Sequence, residues 1–308
     1  MRIGSWEVNI GPSKEVPQST LIELEAFLSG DWLAAIKKEI KKPWWGIERL
    51  GIPSPLVRVD ISPLVGKGER ATSQGIYEVE VRPAGLGLVL SLDTFRHSFW
   101  REIFRSAGCC GFIKIESTIA DDQIAAAVLQ MPFYEFYEQI PEITPPYWVR
   151  TNLRRGSLAE TLEKVSLVPI SSDGDKSYLL RLGLATMVNK DTPLDWNKSF
   201  VVKPLIGARM EGVEIYIPSR EVKGMVGVST KSRVLRSMDT NQTIIQDFIP
   251  PLEEEIKGIK GWTIWRLYFG WLDGKYKFVG GLWNWRPNIR VHGSSDAVFG
   301  LLEIRGRS

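Results

Sequence analysis

The chain has 308 residues, 44% of them apolar and 24% charged, and 39 basic against 36 acidic side chains leave a formal charge of +3. That composition suits one large or two ordinary globular domains, and so small an excess of positive charge argues against a nucleic-acid binder. No run of about 18 apolar residues offers a membrane span, and Met1–Glu7 lacks the apolar stretch of a secretory signal. The two cysteines, Cys109 and Cys110, are adjacent, which is poor geometry for a disulfide and no zinc pattern. A cytoplasmic protein is expected.

Two helices are predicted first. Thr20 and Glu23 stand at capping-box spacing, Leu21, Leu24, Phe27 and Leu28 are apolar, and Gly30 is the expected stop. A second helix starts at Asp31 and runs into Lys41-Lys42-Pro43, its lysines forming a solvated face. Residues 51–60 and 75–82 read as extended, with a loop between them over 65–75. Asp93 is expected to cap a helix carrying Phe95, Phe99, Trp100, Ile103 and Phe104 and ending near Gly108. A buried strand follows at Gly111–Glu116, then a helix from Asp121 to Gln130. Pro141–Tyr147 is a candidate linker. Ser157 and Glu160 open a short helix, and Asp173–Lys176 precede another through Val188.

From residue 200 the pattern becomes strand-rich. Phe200-Val-Val-Lys-Pro204 reads as a strand ending on Lys203, followed by a loop holding Gly207 and Gly212 and a second strand to Tyr216. A lysine facing a glycine loop suits phosphate binding, since glycines let backbone N–H groups approach the oxygens; a solvated lysine before a hairpin is the plainer reading. Thr243–Ile249 is a strand stopped by Pro250, and the run Glu253–Glu255 reads as a solvated loop. Trp262–Trp271 and Tyr276–Trp283 alternate and join through Asp273-Gly274, a strong hairpin signal. The class is mixed α/β with a largely antiparallel sheet in the C-terminal half.

Side chains two apart on a strand share a face. Glu78 and Glu80 therefore point the same way, and either a cation or an arginine lies between them or they form an exposed edge. Arg266, on one face with Ile264 and Tyr268, needs a carboxylate in the core or a phosphoryl oxygen. Twelve tryptophans serve burial or base stacking, and Trp283-Asn-Trp-Arg-Pro-Asn288 is the place to look for the latter. There Arg286 and Asn288 either contact a substrate carboxylate or build a turn. Asp273 and Asn288 are a weaker pair of oxygen ligands. His97 and His292 are the only histidines and are read as packed or surface groups; no G-x-S-x-G elbow supports a hydrolase.

Phe200-Val-Val-Lys-Pro204 with its glycine loop, Ile244-Ile-Gln-Asp-Phe-Ile-Pro250 and Trp265-Arg-Leu-Tyr-Phe269 resemble the nucleotide-binding part of an ATP-grasp ligase. More narrowly, Arg58-Val-Asp60 followed by Glu78-Val-Glu80 is similar in order to the circularly permuted ATP-grasp of glutathionylspermidine synthetases, with Glu80 where that family has asparagine. The resemblance runs over residues 51–300 in order of elements. It implies an ATP-grasp-like fold with the nucleotide between two lobes; the chain itself is read as a helical segment 1–50, an α/β part 51–150 with the candidate metal carboxylates, and a nucleotide-binding part 151–308. It implies an ATP- and Mg2+-dependent carboxylate–amine ligase acting through an acyl phosphate on a small-molecule or peptide carboxylate. Lys203 and Gly207 would take phosphates, and Gln246, Asp247, Phe248 and Ile249 the adenine. Asp60, Glu78 and Glu80 would hold magnesium, Arg58 and Arg266 would stabilise the transferred phosphoryl group, and Arg82, Arg286 and Asn288 would meet substrate. The alternative is a non-catalytic ATP-grasp-like binding or structural module, to which the two-glycine loop and Glu80 are suited.

Overall fold

The structure is a computed structural model that describes residues 2–3, 6–37, 56–67, 72–80, 85–106, 111–115, 120–131, 133–136, 147–149, 176–205, 212–218, 225–238, 242–292 and 295–305. Its framework is an eight-stranded sheet. The strands β1 (Arg2–Ile3) and β2 (Trp6–Glu7) form a separate ribbon, whereas β3 (Asn9–Ile10) and β4 (Lys14–Val16) join the large sheet at one edge. β5 (Leu56–Ile61) and β6 (Ile76–Glu80) close the other edge. Three further strands are small: β7 (Gly111–Ile115) pairs with both β8 (Phe133–Phe136) and β9 (Tyr147–Val149). β10 (Thr186–Val188), β11 (Phe200–Pro204), β12 (Glu214–Tyr216) and β13 (Thr243–Asp247) make a four-stranded antiparallel sheet in the order β10-β13-β11-β12. β14 (Leu252–Ile256), β15 (Ile259–Leu272), β16 (Lys275–Arg286) and β17 (Val298–Ile304) complete the large sheet, which runs β3-β17-β16-β15-β5-β6 and is antiparallel except where β17 meets β3 and β4. Strands from all three predicted segments thus share one sheet.

The long hairpin β15–β16 is the spine. Asp273 and Gly274 at its tip have φ of 51° and 81°, the left-handed pair that a two-residue turn requires to match strand twist. Cross-strand partners share a face, so the pairing register divides the sheet into two surfaces. On one, Val57, Val59 and Ile61 of β5, Trp265, Leu267 and Phe269 of β15, and Trp283 and Trp285 of β16 form a core. The helix α1 (Gln18–Phe27) covers it with Leu21 and Leu24, and the chain continues without a stop through a π turn, Leu28–Trp32, into α2 (Leu33–Lys37). Gly30 does not end the helix as expected: the extra residue of the π turn keeps Leu28, Trp32 and Leu33 all on the buried side. Nor is there a capping box, because Pro17 occupies the N-cap.

The second surface is covered at one end by α3 (Leu86–Leu92), α4 (His97–Ser106) and α5 (Ala120–Val128), which cluster with Tyr268, Leu282 and Phe299. Helix α3 was not legible, since Leu86-Gly-Leu-Val-Leu-Ser-Leu92 is a continuous apolar run with no helical period. Before α4 a 3-10 turn, Thr94–Arg96, leaves Phe95 94% exposed, so that residue is not on the apolar face. Asp93 makes no cap bond and instead faces Trp100 and Arg96. At the other end Ile264 joins Ile215 and Ile217 of the small sheet.

Three other readings are corrected. The segment after Lys176 is a short helix, α6 (Ser177–Arg181), followed by strand β10 rather than by a helix to Val188. Glu253–Glu255 is strand β14, paired with β15, whose charges alternate on an edge. The tryptophans at 283 and 285 are 0% and 3% exposed, with Trp283 Nε1 donating to Pro12 O at 2.9 Å, so they are core and not a stacking platform. The helix α7 (Lys231–Met238) backs the small sheet through Val234 and Met238. The linker at 141–146, the helix at 157–160 and the cysteines lie outside the described residues, as do Lys41 and Lys42.

Candidate functional site

Between the two clusters on the second surface lies a patch of charge. Arg58 stands opposite Glu80 and Tyr268, and Asp60 opposite Glu78 and Arg266. Period-two alternation on three neighbouring strands therefore puts five ionisable side chains on one face. Arg58 grips Asp60 with two hydrogen bonds, Nε to Oδ1 at 2.6 Å and Nη2 to Oδ2 at 2.9 Å, and reaches Glu80 Oε1 at 2.5 Å. Arg58 and Asp60 are each 3% exposed. Burial opposes the guanidinium's charge, but Asp60 and Glu80 more than offset it, so Arg58 stays protonated.

Arg266 is bonded differently. Its Nε lies 3.6 Å from Asp60 Oδ2, too far for a hydrogen bond, and that buried N–H has no acceptor. Glu78 likewise makes no hydrogen bond or ion pair among the described residues. A donor and an acceptor left open on a buried face are what a ligand would fill.

The small sheet meets the edge strand β6 at this patch. Lys203, on β11, is 8% exposed and donates to Gln246 Oε1 at 2.8 Å and to Tyr77 O at 3.1 Å; Gln246 Nε2 donates to Ile76 O at 3.2 Å. Burial lowers the Lys203 pKa to about 8, Glu78 and Asp60 resist the fall, and the nearby Lys176 adds to it. Lys203 and Gln246, which the resemblance gives to phosphates and to adenine, are thus in direct side-chain contact. The neighbouring Phe248 N–H is bound to Ser199 O at 3.2 Å, Asp247 is exposed and Ile249 is buried.

Carboxylate oxygens of Asp60, Glu78 and Glu80 all lie within 4.8 Å of one another. An all-oxygen donor set of this kind fits a hard divalent cation such as Mg2+. Without one, the cluster is self-repelling. Burial raises Glu80 to about 7; Arg58 and Arg266 oppose the rise, and Glu78 and Asp60 add to it. The native protein then holds more protons than the unfolded chain between 4.5 and 7, so its stability falls as pH rises through that window. Lys203 acts with the opposite sign: between 8 and 10.5 the unfolded chain holds the extra proton and stability rises with pH. Melting curves in EDTA are expected to show a minimum near neutrality, and Mg2+ is expected to flatten the acidic limb. A Glu80→Gln variant that kept the full acidic limb would contradict this.

Two residues of the site were missed in the sequence. Lys176, 4% exposed, adds a second buried positive charge beside Lys203. Tyr178, on α6, accepts the Val79 N–H at 2.6 Å through its hydroxyl; burial raises its pKa well above the usual phenol range, and the charges of Glu78, Glu80 and Asp60 add to the rise. Only an apolar helix starting straight after a lysine hinted at them. The remaining candidates lie elsewhere. Arg286 is bound to Asp296 at 2.9 and 3.0 Å, to Arg290 O and to His292, while Asn288 Oδ1 accepts the Arg290 N–H in a local turn. Asp273 is a turn residue, and His97 Nε2 contacts Leu90 O at 2.7 Å. Gly207 and Arg82 fall outside the described residues. No described helix is long and apolar enough to cross a membrane.

No family model matches the sequence, and no curated protein matches it.

Proposed function

We propose that the protein is an ATP- and Mg2+-dependent carboxylate–amine ligase of ATP-grasp type. The observation that carries this reading is the convergence of Asp60, Glu78 and Glu80 with Lys203 and the under-bonded Arg266 where two antiparallel sheets meet. Lys203 and Lys176 hold the nucleotide's phosphates as point charges, and the strand β13 with Phe248 and Ile249 flanks the base. Bound magnesium would offset the charge of the phosphates and of the three carboxylates.

In the reaction, a carboxylate oxygen of the first substrate attacks the γ-phosphorus and ADP leaves, giving an acyl phosphate. The amine nitrogen then adds to the acyl carbon, phosphate departs and the nitrogen loses a proton, giving the amide. Arg266 donates its open N–H groups to the transferred phosphoryl oxygens, while Arg58, tied by Asp60 and Glu80, holds those carboxylates in place. Positioning and charge supply the catalysis.

One observation favours the alternative of a non-catalytic nucleotide-binding or structural module. Lys203 is already satisfied by Gln246 and Tyr77 O, so the two sheets are clasped without a ligand. Melting with Mg-ATP and ADP release with pooled carboxylates and amines decide between them. A melting shift with ADP release supports the ligase, a shift without release the module, and no shift at millimolar Mg-ATP removes the nucleotide from both.

A further inference from the structure

The sheet face that carries the charges extends one strand beyond Arg266. On β16, Leu282 is opposite Arg266 and Asn284 is opposite Ile264, so Asn284 is the diagonal neighbour of Arg266, with backbones about 7 Å apart. Asn284 has no exposed surface, and neither its amide nitrogen nor its carbonyl oxygen has a hydrogen-bond partner. Its neighbours across the strands, Ile264 and Phe299, are apolar. An amide buried this way is costly, and a leucine would fill the same space without the penalty.

We propose that Arg266 and Asn284 together form the subsite for the carboxylate substrate, and that this substrate carries an N–H or O–H donor on the atom next to its carboxylate, as amino and hydroxy acids do. The chemistry of the pair sets that class. Arg266 offers only donors, and the Asn284 amide offers donors on one side and an acceptor on the other. A plain carboxylate leaves the Asn284 oxygen bare. A carboxylate with an adjacent donor satisfies the Arg266 N–H groups, the Asn284 amide nitrogen and the Asn284 oxygen at once. Arg266, whose side chain is 15% exposed, is the outer end of the subsite, and Asn284 is the inner end. The assignment rests on the ligase reading for its role in catalysis but not for its binding chemistry.

The test compares the native chain with Asn284→Leu and Asn284→Asp, with L-alanine and propionate at equal concentration as probes, each in the presence and absence of Mg-ADP. L-Alanine adds an ammonium, which is both a donor and a positive charge, and L-lactate, whose hydroxyl adds the donor without the charge, separates the two. Asn284→Leu without ligand is expected to melt about 3 °C higher than the native chain, since it removes two unpartnered polar atoms. L-Alanine is expected to raise the melting temperature of the native chain more than propionate does; that difference is expected to vanish in Asn284→Leu, which has no acceptor, and to persist in Asn284→Asp, which keeps one, while the shift from Mg-ADP persists in both. A lower melting point for Asn284→Leu would mean the amide serves the fold through a buried water, and equal shifts from L-alanine and propionate would remove the specificity; either overturns the proposal. Loss of the Mg-ADP shift in the native chain with the alanine difference intact would instead overturn the nucleotide reading and leave the subsite standing.

Discussion

Lys203→Met is expected to cut the rise in melting temperature that Mg-ATP gives the native chain by about half or more. A ligand that binds only the folded state at 100 times its dissociation constant stabilises it by about 2.7 kcal/mol. For a chain of this length that is a shift of about 4 °C, at roughly 1.5 °C per kcal/mol. Losing one or two charge-assisted hydrogen bonds to phosphate weakens binding by about 10- to 100-fold, which leaves about 1.4 to 0.4 kcal/mol of that stabilisation. Methionine is chosen because it keeps the stem of the side chain packed between the sheets. The unliganded stability should change little, since two effects oppose each other. Burial lowers the lysine's pKa from 10.5 to about 8, so at neutral pH its charged form costs on the order of 3 kcal/mol, which the substitution returns. Against that, Gln246 Oε1 and Tyr77 O lose their donor, at about 1–3 kcal/mol each. The measurement is therefore the ligand-induced shift, followed by calorimetric titration with Mg-ADP. An unchanged shift in the variant would place the nucleotide elsewhere.

Asp60→Ala is expected to be the most destabilising single change at the site. It removes the two hydrogen bonds that Arg58, 3% exposed, makes to Asp60, leaves it the one to Glu80, and takes away the carboxylate paired with Arg266. Breaking one side of a buried pair costs about 3–5 kcal/mol, because the partner charge stays desolvated. The expected fall in melting temperature is roughly 6 °C. Arg58→Leu combined with Asp60→Leu separates fold from function. Removing both charges together should restore at least half of the lost stability, since an apolar replacement of a buried pair is often neutral or better. Metal affinity, followed by Mn2+ binding, should stay lost in the double variant. Recovery of Mn2+ binding along with stability would show that Asp60 serves the fold alone.

Three features of the fold and the site were readable for a definite reason. Glu78 and Glu80 are two apart on a strand, as are Arg58 and Asp60, and a strand has only two faces, so each pair had to share one. The hairpin at Asp273-Gly274 was equally forced, because few dipeptides accept two left-handed residues. The strand Phe200–Pro204 with Lys203 near its end followed from an apolar β-branched run. By contrast, the edge strand β14 was hidden by its three glutamates, which read as solvent, and α3 by an apolar run without period. Gly30 misled because a π turn accommodates it, and only the burial of Leu28, Trp32 and Leu33 together explains why the helix goes on.

The sequence by itself determined which side chains point together along each strand, since that depends only on backbone geometry two residues apart. It could not determine register. The placement of Asp60 opposite both Glu78 and Arg266, of Lys203 against Gln246 and the backbone of β6, and of Asn284 one strand beyond Arg266 follows from pairings between segments as far apart in the chain as Asp60 and Arg266. Those pairings are set by how the tryptophan-rich face of β15 and β16 packs beneath α1, and a slip of one residue would exchange that core for the charges. The tertiary structure alone therefore decided that five ionisable groups, each ordinary in its own strand, meet in one partly buried patch.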